Sequence, residues 1–376
     1  MELHVSCPPA SDRTVAVITG GQVDRMLADR ATSDSRLMGE RRGNRRRPQR
    51  QQVAAPLPAT PPPGAVRGIV IRAYGKFFDV RVDEPTGAPR VLLSTVRGAL
   101  RRERRRTDLV AVGDHVWVTD VGEGEGQIEV VEPRLRVLAR RARQTNDVEQ
   151  IILANPDQAL FMFAVREPVP HRRMLDRFLV LAESQSLPAL IVVNKIDLVN
   201  EAGSDGLAAA HAVFGDYEPI IPVHYVSAKA GLGLEALRRA LLGKITVVAG
   251  PSGVGKSSLL NALDPDRQRA IGAVSTATGK GRHTTIAAEL HSIDDDPPTF
   301  VADTPGIRAL ALHGVAPDQL DIYFPELRPY LDDCFYPDCT HLHEPRCAVL
   351  EAVAAGAIPV ARYESYAAMR RGDTDD

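Results

Sequence analysis

The nine residues GPSGVGKSS at positions 250–258 constrain this chain more than any other stretch of it. They follow KITVVA, an apolar run with the composition of a buried strand, and they open SSLLNAL, whose leucines have helical spacing. Strand, glycine loop, Lys-Ser and helix, in that order, separate a phosphate-binding loop from a chance match. The glycines let successive backbone N–H groups turn inward at the positive end of the helix. In such a loop Lys256 reaches the β- and γ-phosphates of a nucleotide and Ser257 offers its hydroxyl to Mg²⁺. Gly250, Pro251, Ser252, Gly253, Val254, Gly255 and Ser258 form the rest of the cradle. A bare strand-to-helix turn has no need of Lys-Ser at that offset.

From about residue 157 the chain alternates between buried-strand and amphipathic-helix patterns. QALFMFAV, ALIVVNKID, PIIPVHYVSA, KITVVAG and TFVADTPG read as parallel strands, with HRRMLDRFLVLAESQ and LGLEALRRALLG as helices between them. That is a doubly wound α/β domain. Three more motifs fall at strand ends. Asp303 of VADTPG is placed to hold Mg²⁺ through water, and the Gly306 N–H to meet the γ-phosphate. In NKID, residues 194–197, the Asp197 carboxylate accepts from both N1–H and the exocyclic amine of guanine. Adenine offers neither donor there and leaves a buried Asp unpaired. Asn194 bonds the base edge or a neighbouring loop, the Lys195 stem covers the base, and Ile196 completes the motif. Ser227, Ala228 and Lys229 close the pocket, with the Ala228 N–H available to guanine O6. Together the four motifs specify a GTPase.

Their order is unusual. NKID and SAK precede the phosphate loop instead of following DTPG, which a circular permutation explains without disturbing a site gathered at one sheet edge. The segment after DTPG then leads into a C-terminal Cys/His region and can transmit the nucleotide state to it. Residues 275–285, STATGKGRHTT, lie where a mobile loop completes the Mg²⁺ site; Thr284 or Thr285 is the ligand, with Thr285 favoured. Ile307 stands where many GTPases carry a water-orienting Gln. An apolar side chain cannot orient water, so intrinsic hydrolysis is expected to be slow and stimulated by a partner. His283 is a candidate for the missing group, and an exposed loop histidine without a catalytic part is the equal alternative.

Near the C-terminus, Cys334, Cys339, His341 and Cys347 form C-x(4)-C-x-H-x(5)-C, with His343 an alternative imidazole. Three thiolates and an imidazole match a closed tetrahedral zinc site, structural because no coordination position stays open. Four Cys in 376 residues are too few for a disulfide scaffold, and the first residues lack the basic start of a secretory signal. No apolar stretch is long enough for a membrane helix. A reducing, cytoplasmic location is expected, with no membrane partner and no obligate oligomer.

Net charge is −2, so the chain as a whole has no basic signature, but its arginines are clustered. Residues 1–64 read as a disordered tail with an Arg run (Arg41 to Arg50) and a Pro-rich linker. Residues 65–137 show short alternating segments with Gly and Asp between them, as in a five-stranded OB-like barrel. Arg97, Arg101, Arg102, Arg104, Arg105 and Arg106 interrupt it; Arg134, Arg136, Arg140, Arg141 and Arg143 come after it. Two such runs on a barrel favour a phosphate-backbone partner. Sparse aromatics (Tyr74, Phe77, Phe78, Trp117) give no support to sequence-specific readout. The GTPase domain is assigned to residues 138–313 and a helical zinc-binding domain to 314–376.

Barrel, permuted GTPase motifs and Cys/His cluster together resemble the ribosome small-subunit-dependent GTPase A family (RsgA, also called YjeQ), from about residue 67 to the C-terminus. GRHTT, residues 281–285, also matches that family's switch loop. The resemblance implies a late assembly factor of the 30S subunit that binds 16S rRNA near the decoding region beside other assembly factors. It also implies GTP hydrolysis to GDP stimulated by that subunit and coupled to release. The Arg/Pro-rich tail and the Arg-heavy barrel loop depart from the family pattern.

Overall fold

The computed structural model describes residues 62–84, 87–97, 109–141, 149–200, 206–264, 288–303 and 315–373. The expected tail up to residue 61 and the arginines from 101 to 106 lie outside the described residues.

Five strands, β1 (Ala65–Tyr74), β2 (Phe77–Val82), β3 (Arg90–Val96), β4 (His115–Gly122) and β5 (Glu125–Val131), close into a barrel in the order β1-β2-β3-β5-β4. Only the β3–β5 pair is parallel. Alternate residues, among them Val70, Val80, Val82, Leu92, Val116, Val118 and Ile128, fill the interior. A bulge between Val70 and Arg72 adds the twist that closure requires. Arg134, expected in a phosphate-binding run, does something else. Its Nε and Nη2 each donate to the Asp114 carboxylate at 2.7 Å, and both side chains are buried. That pair, with the Asn155 amide donating to the Gly113 carbonyl at 3.0 Å, fastens the barrel to the start of the GTPase domain.

A hairpin that the sequence pattern did not reveal, β6 (Val137–Arg141) with β7 (Glu149–Ala154), leads into the second sheet. That sheet comprises β8 (Gln158–Ala164), β9 (Ala189–Asn194), β10 (Val223–Tyr225), β11 (Ile245–Ala249), β12 (Glu289–Asp295) and β13 (Pro298–Asp303). Its order is β10-β9-β8-β11-β13-β12. The five runs read as parallel strands are parallel; β12, which was not foreseen, pairs antiparallel with β13 at the edge. Every residue of β8 is buried, because helices cover both faces. Phe161 and Phe163 face one core and Leu160 and Met162 the other, as the two-residue strand period dictates.

Helix α1 (Arg172–Ser184) is capped by the His171 ring, whose Nδ1 accepts from the Met174 N–H, and stacks Phe178 on Phe161 at 5.3 Å. Helices α2 (Asp197–Asn200), α3 (Gly206–Phe214), α4 (Leu234–Leu241) and α5 (Lys256–Leu263) complete the layers. Beyond residue 314, short 3₁₀ turns, α6 (Ala348–Ala354) and α7 (Val360–Arg371) build a third core around Phe324, Leu327, Ile358 and Tyr366. Val180 of α1 enters that core. Beside it, Arg362 of α7 is buried in ion pairs with Asp176 of α1 and with Glu326, whose Oε1 accepts from Nε at 2.6 Å. The result is a barrel, a permuted GTPase sheet and a small helical unit.

Candidate active site

The phosphate loop leaves the central strand β11 between β8 and β13. Two of its glycines are required by close approach. A Cβ at Gly250 would stand 2.1 Å from the Met162 carbonyl oxygen of β8, and one at Gly255 would stand 2.5 Å from Asn194 Nδ2. Gly255 also has φ +98°, in the left-handed region that favours glycine. Val254 is buried beneath the loop, whereas Ser252, Gly253, Ser257 and Ser258 face outward. Lys256, the first residue of α5, folds over the loop and donates from Nζ to the carbonyls of Gly250 at 3.0 Å and Pro251 at 2.7 Å. The ammonium is thus held against the start of the loop.

Parallel pairing sets Val248 of β11 beside Asp303 of β13, so the strand that ends in DTPG ends at the phosphate loop. Ser257 and the backbone at Asp303 therefore lie at the same sheet edge, the placement a magnesium-holding pair needs. His283, Thr284, Thr285, Gly306 and Ile307 lie outside the described residues.

The other motifs converge on this edge from β9 and β10. Asn194 is buried, and its amide spans two loops. Nδ2 donates to the Val254 carbonyl of the phosphate loop at 2.8 Å, and Oδ1 accepts from the Ala228 N–H at 3.0 Å. Of the two roles open to Asn194, the structure shows the bridge between loops. The Ala228 N–H, read from sequence as available to guanine O6, donates to Asn194 Oδ1 in this structure. Ser227 Oγ donates to Asp197 Oδ1 at 2.6 Å and accepts from the Ala230 N–H at 3.0 Å, which fixes the rotamer of the carboxylate. Lys195 has φ +65° and its Nζ donates to the Glu167 carbonyl at 2.5 Å, tying the β9 loop to the β8 loop. Ile196 is half-buried, its N–H donating to the Val226 carbonyl at 3.3 Å, and Lys229 is exposed. Sequence reasoning missed the part of Glu167, which acts through a main-chain oxygen and leaves no side-chain signature.

A second cluster lies in the third unit. Cys334, Cys339, His341 and Cys347 bring their ligand atoms within 4.8 Å of one another. His341 Nδ1 is 3.4 Å from Cys334 Sγ and 3.5 Å from Cys347 Sγ. His341 rather than the exposed His343 supplies the imidazole. Its far nitrogen, Nε2, lies 3.4 Å from Asp321 Oδ2, and Asp321 is itself held by the Ile322 N–H. Burial, foremost, pushes the Cys347 thiol up to about 11 and the Cys339 thiol upward too. Three thiols, two of them buried, converging on one imidazole form a donor set suited to a metal ion. A bound cation would favour the thiolates that burial alone disfavours. Asp321 was not foreseen, since nothing in the sequence marks a carboxylate 13 residues before the first cysteine.

A family model described as RsgA GTPase matches residues 131–313. The chain is 43% identical over 305 residues to the small ribosomal subunit biogenesis GTPase RsgA of Gemmatimonas aurantiaca, covering 81% of this chain and 96% of that protein. Against the protein of the same name from Moorella thermoacetica it is 40% identical over 301 residues, covering 80% and 95%. Among solved structures, it is similar to YjeQ from Thermotoga maritima, with TM-score 0.65, 34% identity and coverage of 82% of this chain and 98% of that one. It is also similar to YloQ, described as a circularly permuted GTPase, with TM-score 0.63, 30% identity and coverage of 82% and 94%.

Proposed function

The chain belongs to the RsgA GTPase family and is a GTP hydrolase; on that premise we propose that it acts as a late assembly factor of the small ribosomal subunit, stimulated by that subunit. The names of its relatives support the partner. The Asn194 bridge carries the reading of the site, because it locks the base-recognition loop to the phosphate loop as one unit. A nucleotide must fill both halves at once, so recognition of guanine by Asp197 selects which triphosphate meets Lys256.

The chemistry rests on positioning and charge. Backbone amides of residues 252–258 and the Lys256 ammonium receive the β- and γ-phosphates, and stabilise charge that grows on the bridging and γ-oxygens as the bond to the γ-phosphorus breaks. Ser257, Asp303 and Thr285 (or Thr284) hold Mg²⁺, which when bound neutralises phosphate charge. Gly306 offers its N–H to the γ-phosphate, and His283 or a group on the subunit orients the attacking water. With Ile307 after DTPG, the chain alone turns over slowly.

The three thiolates and His341 suit zinc in a structural role. The barrel meets 16S rRNA phosphates near the decoding region, with Arg97 and its neighbouring arginines as the electrostatic contribution. The protein works as a monomer in the cytoplasm, beside other assembly factors.

GTP turnover of the full chain, measured alone, with 30S subunits and with 50S subunits, tests this reading. Stimulation by 30S alone is expected. Stimulation by 50S alone overturns the partner, and GTP binding without turnover under any condition reduces the site to a binding module.

A further inference from the structure

The barrel docks on the edge strand β12, and the two ends of that contact differ in kind. At the end far from the nucleotide site, Arg81 of β2 is buried. Its Nη1 donates to Ser292 Oγ at 2.8 Å, its Nη2 lies 3.0 Å from Asp295 and 3.2 Å from Asp83, and its guanidinium packs 5.1 Å over the Phe300 ring. At the near end, Arg72 of β1 pairs with Glu289, the first residue of β12, and both remain partly exposed. The barrel also has a hold on Arg72. Nη1 donates to the Tyr74 hydroxyl at 3.2 Å and lies 3.8 Å from Asp79, to which Tyr74 itself donates at 2.8 Å. Tyr74 is exposed at the tip of the β1–β2 hairpin, a loop that OB-type barrels use for oligonucleotides. Glu289 pairs in register with Asp303 and comes four residues after Thr285, so it adjoins both expected sources of magnesium ligands. His291 Nδ1 stands 3.6 Å from the same carboxylate.

We propose that Arg72 is a positioning residue with two alternative anionic partners: Glu289 in the free protein, and an RNA phosphate on the barrel hairpin in the complex. Withdrawal of Arg72 from Glu289 reports barrel occupancy to the magnesium side of the GTPase sheet. The inference rests on the proposed RNA-facing role of the barrel. Arginine keeps its charge at all working pH values, so the handover is a competition between anions and not a titration. A half-exposed ion pair is weak, whereas a phosphate offers a bidentate acceptor to the same guanidinium. Because Arg81 stays buried at the other end, losing the Arg72–Glu289 pair frees the start of β12 without undocking the barrel. The free protein is therefore the restrained state, and breaking the pair imitates occupancy.

Glu289→Gln in the full chain tests this. Its turnover without any subunit is expected to rise about fivefold, the low end of ordinary coupling strengths. The rate at saturating small subunits should stay within about twofold of wild type, with subunit affinity equal or tighter by reciprocity. Arg72→Ala, a second variant with the same readout should the first fold poorly, is expected to raise the unstimulated rate likewise while weakening subunit binding. A pair that only holds the domains together cannot raise turnover when cut. If both variants leave the unstimulated rate unchanged or lower it, the handover is overturned. If wild-type turnover ignores small subunits, the proposed partner fails instead, a separate result because the decisive rate is measured with no subunit present.

Discussion

Asn194 shows how one side chain decides the integrity of a binding site. Its two amide atoms each meet a different loop, and the residue is buried, so no water can replace either partner. Asn194→Ala leaves the Val254 carbonyl and the Ala228 N–H without that partner, at a cost of about 1–3 kcal/mol. Chemical denaturation should show that loss, and a titration with GTP should show weaker binding, because the two loops are no longer tied together. Asp197→Asn makes a different change, in chemistry and not in scaffold. The amide offers a donor where the carboxylate accepted, so preference should pass from GTP to XTP, with GTP affinity falling at least about 100-fold. Competition binding with the two nucleotides reads this directly; unchanged GTP affinity removes Asp197 from the pocket. NKID and SAK were legible as a pocket because residue type and strand-end position carry the signal. Which partner the Asn194 amide takes was not legible, since it depends on the distance between two loops far apart in sequence.

At the scale of elements, the Cys/His loop depends on a carboxylate outside the motif. Asp321 faces the far nitrogen of His341, fixing the tautomer that leaves Nδ1 toward the thiols. Asp321→Asn should weaken metal binding about 10–100-fold, measured by competition with a chromophoric chelator. Removing the metal should loosen the core around Cys339, Cys347 and Tyr366, visible as lost protection in hydrogen exchange. Glu344 adds a pH dependence. Burial alone would raise its pKa, but hydrogen bonds from the Thr340 hydroxyl and N–H, and from the Glu344 and His343 amides, outweigh it and depress the group from 4.5 to about 2. Its stabilising contribution is therefore full above about pH 4.5 and fades as pH falls toward 2. Glu344→Gln should be less stable than wild type at pH 7, with the gap closing in that acid range, as melting curves at several pH values would show. The Cys/His cluster was legible from spacing, while the carboxylates that hold it were not, because they carry no spacing signature.

At the scale of the molecule, the joints are polar and far apart in sequence. Arg362 sits between Asp176 of α1 and Glu326, packed 5.2 Å over Tyr217 and 4.8 Å over Phe324. Asp176 Oδ2 and Glu326 Oε2 have no hydrogen-bond partner among the described residues, so Arg362 supplies most of their compensation. Arg362→Met leaves Glu326 without its arginine and Asp176 with the Tyr217 hydroxyl in place of an ion pair, and should cost about 3–5 kcal/mol, read as a lower melting temperature and separate unfolding of the helical unit. Barrel and sheet were legible from their internal periodicity, the permutation from the order of the motifs, and the Cys/His unit from the spacing of its side chains. Their joints were not, and Arg134 shows why: in sequence it belongs to an arginine run, but in the fold it is a buried partner of Asp114. The strand order has a further consequence during synthesis. β8, β9 and β10 leave the ribosome first, and β11, which covers the inner edge of β8, emerges about 80 residues after β8 ends. At ordinary elongation rates of about 5–20 residues per second, the apolar strand QALFMFA waits roughly 4–16 s with an open edge. A GTPase that serves ribosome assembly thus passes, while it is itself being translated, through an interval in which its sheet lacks the central strand.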